Sequence, residues 1–174
     1  TAAYDVANPT RNIVGYPLDT PEYHTRAREV IDALPQAPVN IICTAREAEF
    51  IKYGSNSFLA LKVIYANILY DLAQSSGADW GVIKQGIGSD PRIWESHLDV
   101  IHASWILEHK GRGAWWHCFI KDFAGLVEYI KSTRTDPLGE AFLCAAEQKN
   151  IDLLQKSQKD IDLLTGVYGT EKIK

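Results

Sequence analysis

From Thr44 to about Ser75 no proline interrupts the chain, and apolar side chains recur at Phe50, Phe58, Leu61, Ile64, Tyr65, Ile68, Leu69 and Leu72. That spacing predicts one long helix. Its apolar positions cover more than one face, so neighbours must bury it, a second subunit among them. Thr44-Ala45-Arg46-Glu47 has the form of a capping box at its start, and Gly77 is placed to cap its end. Before this helix the period shortens. Asn12–Gly15 and Val39–Ile42 read as strands flanking a helix from Pro21 to about Leu34, with Pro35 and Pro38 punctuating the connection. Two strands and one helix are too few for an independent sheet and predict the edge of something larger.

After the long helix come a short one (about Trp80 to Ile87), the turn Gly88-Ser89-Asp90-Pro91 and a loop-rich stretch to Trp116, too long for a plain connector. A helix from Cys118 to Ile130 follows. A last amphipathic helix from Pro137 to about Lys159 carries Leu143, Ile151 and Leu154 as core or interface positions. The expected fold class is mainly α: a helical domain over 46–174 built on one long helix, preceded by a small α/β remnant over 1–45.

Composition narrows the function. A net charge of −4 over 174 residues excludes the broad basic face that a nucleic-acid backbone requires. A small anionic ligand needs only a few local cations, and Lys52, Arg92, Lys110, Arg112 and Lys121 are candidates. Three widely spaced cysteines (Cys43, Cys118, Cys144) fit neither a disulfide framework nor a zinc ribbon, and predict a reducing cytoplasm. His97, His102, His109 and His117 match no zinc spacing, so no metal is expected. No apolar run has membrane-spanning length and no signal-peptide pattern opens the chain. The absence of methionine predicts that the chain begins inside a longer gene product.

Chemistry concentrates around Cys118. The segment Gly111-Arg112-Gly113-Ala114-Trp115-Trp116-His117-Cys118-Phe119-Ile120-Lys121-Asp122 delivers a thiol to the first turn of a helix, where backbone amides and a neighbouring cation favour the thiolate form. A small buried core cysteine is the competing reading. Asp122 lies one turn beyond Cys118, and Lys52 and Asn56 have the same spacing on the long helix, so each pair shares a face.

In order along the chain, Asn8-Pro9-Thr10-Arg11-Asn12-Ile13-Val14-Gly15, the stretch Glu47 to Ala60, Gly86-Ile87-Gly88-Ser89-Asp90-Pro91-Arg92-Ile93 and the cysteine segment resemble motifs of the UDP-glucose/GDP-mannose dehydrogenase family. The last is similar to the family's catalytic-cysteine loop, G-x-G-x-G-G-x-C-F-x-K-D. The resemblance implies the central dimerisation domain of a nucleotide-sugar 6-dehydrogenase, with the tail of its Rossmann-like NAD-binding domain in front. It implies oxidation of a sugar C6 alcohol to a carboxylate with two NAD reduced in turn, through a cysteine thiohemiacetal and thioester. Cys118 is then the nucleophile, Lys52 and Asn56 stabilise the oxyanion, and Asp122 orients or activates water. Arg92 reaches a neighbouring subunit's substrate, and Gly111, Gly113 and Lys121 line the substrate site. The partners implied are a nucleotide sugar and a second copy docked through residues 47–75.

The departures are equally specific. No G-x-G-x-x-G follows a strand, and the family's C-terminal nucleotide-sugar domain has no counterpart after residue 150, so the chain by itself is expected not to turn over. Tryptophan stands at 94, 115 and 116 where the family has glycine. Indoles at 115 and 116 are expected to crowd the pocket, which leaves a non-catalytic dimerisation or nucleotide-sugar-binding module as the alternative. Three replacements by one rare residue also suggest UGA codons that the source reads as glycine; one UGG among them removes that explanation.

Overall fold

The capping box at Thr44 forms as its residues dictate. The Thr44 amide and hydroxyl both donate to Glu47 Oε2 (2.7 and 2.8 Å), and the Glu47 amide returns a bond to Thr44 Oγ1 at 3.3 Å. These bonds hold the Glu47 carboxyl below its ordinary range. The structure, a computed structural model, describes residues 2–103, 110–115, 117–171 and 173. It divides into two compact units, 1–52 and 53–174, and is mainly helical.

The first unit holds α1 (Ala2–Ala7), β1 (Arg11–Tyr16), α2 (Pro21–Ala33) and β2 (Val39–Thr44), then the first turns of α3 (Ala45–Ser76). β1 and β2 are parallel, with Asn12 opposite Asn40. Asn12 Nδ2 donates to Asn40 Oδ1 (3.0 Å) and to the Pro35 carbonyl (2.8 Å), which pins the register with a polar pair inside the ladder. At Gly15 a Cβ would stand 2.9 Å from Ala45 Cα, so glycine lets β1 run against the start of α3. Val39, Ile42 and Val30 remain exposed, an apolar surface that two strands and a helix leave uncovered.

The second unit continues α3 and adds α4 (Trp80–Gly88), β3 (His102–Ala103), β4 (Lys110–Gly111), α5 (His117–Thr133), α6 (Pro137–Lys156) and α7 (Ile161–Tyr168). Its main core joins Ala60, Val63 and Ile64 of α3 to Phe119, Phe123 and Val127 of α5 and Ala146 of α6. Each set repeats at three to four residues, the spacing that puts side chains on one helical face. A second cluster packs Ile120, Ile151, Leu154 and Leu164 from α5, α6 and α7. Gly77 caps α3 with φ 75°.

Three expectations change. The last predicted helix stops at Lys156, Lys159 lies in the turn beyond it, and the tail forms α7. Gly88, read as the first residue of a turn, is instead the last residue of α4. Within the loop-rich stretch, β3 and β4 pair antiparallel. The side chains of α3 at Phe58 (64% exposed), Tyr65 (60%), Ile68 and Leu72 are open, and the first three line, with Phe142, a groove of about 470 Å³ between α3 and α6.

A thiol at the start of a helix, and the loop that delivers it

α5 begins at His117, so Cys118 occupies its first turn, exposed to solvent. The next residues turn inward: Phe119 and Ile120 enter the two apolar clusters. One turn after the cysteine, Asp122 is only 1% exposed. A carboxylate that deep needs donors. Asn56 of α3 supplies one, its Nδ2 donating to Asp122 Oδ2 at 2.6 Å. Three residues back along α3 and three on along α5, Gly125 passes Tyr53 so closely that a Cβ would lie 2.9 Å from Tyr53 Cε1. The pairs 56–122 and 53–125 show α3 and α5 running antiparallel at this point. Two of the residues read from the sequence therefore meet directly, and a third is one helical turn from them. Lys52, exposed, lies one turn before Asn56 on α3.

The loop before Cys118 is held by side chains that the motif does not contain. Lys159 Nζ donates to the carbonyls of His102 (3.0 Å) and Gly111 (3.3 Å). The Arg112 amide donates to Ser157 Oγ at 2.8 Å. Asn150 closes a two-way bond with one peptide unit, accepting from the Ala114 amide at 2.7 Å and donating to the Ala114 carbonyl at 3.1 Å. The glycines make room for this. A Cβ at Gly111 would lie 2.8 Å from Ser157 Cβ, and one at Gly113, where φ is 99°, would lie 2.9 Å from Leu154 Cγ. The Arg112 side chain bonds Asn67 Oδ1 (2.7 Å) and Asp71 Oδ1 (2.7 Å), so this candidate cation for an anionic ligand is committed inside the protein. Burial acts to raise the Asp71 carboxyl, but Arg112 and Lys149 hold it below its ordinary value.

Trp115 does not stand over the thiol. Its ring stacks on His102 at 3.8 Å, lies under Lys159 Nζ at 4.2 Å, and packs on the cluster around Ile120 and Leu154. This indole is taken up by the core beside α6. Trp116 and His109 lie outside the described residues. Burial, then the neighbouring Lys159 charge, lowers the His102 pKa to about 4. Burial lowers that of Lys159 to about 8. Arg92 points to solvent from the turn after α4 and is paired with Asp90 (2.7 Å), and Lys121 is exposed on α5. Trp94 adopts φ 63°, the left-handed backbone that favours glycine.

A model of the central domain of the UDP-glucose/GDP-mannose dehydrogenase family matches residues 46–151. The chain belongs to this family. Among its curated members, the UDP-glucose 6-dehydrogenase of Rhizobium meliloti is 35% identical over 133 residues, covering 73% of this chain and 27% of that protein. UDP-glucose 6-dehydrogenase TuaD of Bacillus subtilis is 29% identical over 160 residues, 90% of this chain and 31% of the relative. The solved structure of a UDP-glucose dehydrogenase from the hyperthermophilic archaeon Pyrobaculum islandicum superposes with a TM-score of 0.69 at 26% identity, covering 95% of this chain and 34% of that one. The chain thus spans about a third or less of the family members it matches.

Asn150, Ser157, Lys159 and Asn67 were not singled out from the sequence. For two of them a signal existed. Asn67 follows Ala60, Val63 and Ile64 at helical spacing, and Asn150 sits among Leu143, Ala146 and Leu154. A polar residue on an apolar stripe must find a buried partner.

Proposed function

We propose that this chain is the central, thiol-bearing part of a nucleotide-sugar 6-dehydrogenase of the UDP-glucose type. The observation that carries this reading is the Asn56–Asp122 bond of 2.6 Å, one turn from a solvent-open cysteine at a helix start. A thiol there can add to the carbonyl carbon of a C6 aldehyde, its proton passing to a base and the carbonyl oxygen taking the negative charge. Asn56 Nδ2 has two hydrogens, and its bond to Asp122 uses one. The other can serve the oxyanion, a contribution typically of about 3 kcal/mol per donor. The resemblance extends the same role to Lys52. Loss of hydride from the adduct leaves a thioester, and water, oriented by Asp122, cleaves it to the carboxylate and returns the proton to sulfur. Arg92, Gly111, Gly113 and Lys121 are assigned to the substrate on the same resemblance.

NAD is the hydride acceptor in this reading. Residues 1–45 are taken as the edge of its domain, in keeping with the uncovered apolar surface at Val39 and Ile42. They form one strand pair with a crossover helix and no glycine-rich turn, so no residue of this chain is assigned to the dinucleotide. Residues 46–174 form the central domain, and a second copy covers the α3–α6 groove. Among the described residues no helix is long and apolar enough to cross a membrane.

The test is alkylation of Cys118 by iodoacetamide at pH 7, followed by peptide mass spectrometry. Several-fold slowing by UDP-glucose, absent with glucose alone, is expected. A slow thiol indifferent to the nucleotide sugar rejects the enzyme reading and leaves a non-catalytic dimerisation module.

A further inference from the structure

We propose that Asn150 and Lys159, with Ser157 between them, are positioning residues that hold the backbone of 111–114 against α6 and so fix the approach to Cys118. The proposal rests on the reading of Cys118 as the reactive thiol. Its basis is the regularity of the contacts: three side chains from α6 and the turn after it meet consecutive parts of one strand-to-helix loop. Lys159 takes the carbonyl of Gly111, Ser157 the amide of Arg112, and Asn150 both polar atoms of Ala114. Ser157 is the C-cap residue of α6, but its hydroxyl goes to the loop rather than to the helix end. Asn150 lies mid-helix, where its own backbone is already paired, and a buried amide at 7% exposure has no solvent alternative. Lys159, 1% exposed, is the largest of the fully buried side chains among the described residues. Burying an ammonium group is unfavourable unless its donors are used, and here they go to the carbonyls of His102 and Gly111.

Such residues act on the thiol through the backbone, four to seven positions upstream. Cys118 is already open to solvent, so releasing the loop gains it no access. It loses instead the ordered helix start on which the thiol is carried.

The experiment measures alkylation of Cys118 and Cys144 in parallel in the same intact protein, without ligand. Cys144 is half-buried on α6 and reports general loosening. In Asn150→Leu, Cys118 is expected to react at least threefold more slowly while Cys144 is unchanged, and the Ala114 amide to exchange at least tenfold faster. Asn150→Asp keeps the acceptor for the Ala114 amide and is expected to recover most of the Cys118 rate. Ser157→Ala, a change too mild to unfold the protein, is expected to speed exchange of the Arg112 amide. Lys159→Met is expected to resemble Asn150→Leu. An unchanged Cys118 rate in Asn150→Leu overturns the proposal, as does acceleration of both cysteines together. Ligand protection plays no part here, so failure of the UDP-glucose experiment and failure of this one are separate results.

Discussion

At the scale of single residues, the two described tryptophans at 94 and 115 differ in kind. Trp115 has an ordinary backbone and a packed ring. Trp94 is 68% exposed with φ 63°, so it has the strain of a left-handed conformation and little burial to offset it. Trp94→Gly should therefore stabilise the protein by about 1 kcal/mol, raising Tm by roughly 2–4 °C in a chain of this size. An unchanged or lower Tm in calorimetry contradicts that account. Cys118, Asn56 and Asp122 could be proposed from the sequence because their types and spacings carry chemistry on their own, and the structure joins the last two. The residues that hold the loop were not, because their partners are backbone atoms far away in sequence. Only Asn67 and Asn150 left a trace, as polar positions on apolar stripes.

At the scale of elements, α3 was legible from its pattern at both ends, since cap and C-cap depend on adjacent residues. The ends of α6 and α7 were not. Ser157 to Asp160 offer no proline or glycine to mark a break, and Gln158 and Asp160 both take left-handed conformations. That turn brings Lys159 inward, a tertiary requirement that overrides local propensity. The open side chains of α3 and the facing Phe142 make a testable pair. Phe58→Glu and Phe142→Glu each place a charge in the proposed interface. Each variant is expected to sediment as a monomer at micromolar concentration where the parent is a dimer, with unchanged helical circular dichroism. A monomeric parent removes the dimer proposal.

For the whole molecule, buried titratable groups shape stability against pH. The His97 and His102 rings are held below their ordinary value of 6.5, His102 to about 4, by burial first and nearby lysines second. Above pH 6.5 both states are neutral. Below it the unfolded chain takes up protons that the folded one refuses, so stability falls toward pH 4. The carboxylates held low, Glu47, Asp71 and Asp90, add to the fall as pH drops through their ordinary values of 4.5 and 3.8 and below. Lys159 acts on the other side. Between about 8 and its ordinary 10.5 the folded state gives up a proton the unfolded chain keeps, so stability rises with pH there. Tyr168, whose phenol burial pushes up, reverses the trend above about 10. Thermal unfolding from pH 4 to 10 should show both rises, and His102→Phe should flatten the acid one. An acid limb unchanged in that variant removes His102 as its cause.

The stitching of the cysteine loop also dictates an order of events. Its bonds join residues 36, 45 and 48 positions apart, so no local segment can form them. While the chain is being synthesised, the thiol of Cys118 leaves the ribosome before α6 exists to organise its loop. Contacts of that separation close late in folding because the intervening chain must first be ordered. The thiol proposed as the nucleophile is thus made early, and its loop is ordered last.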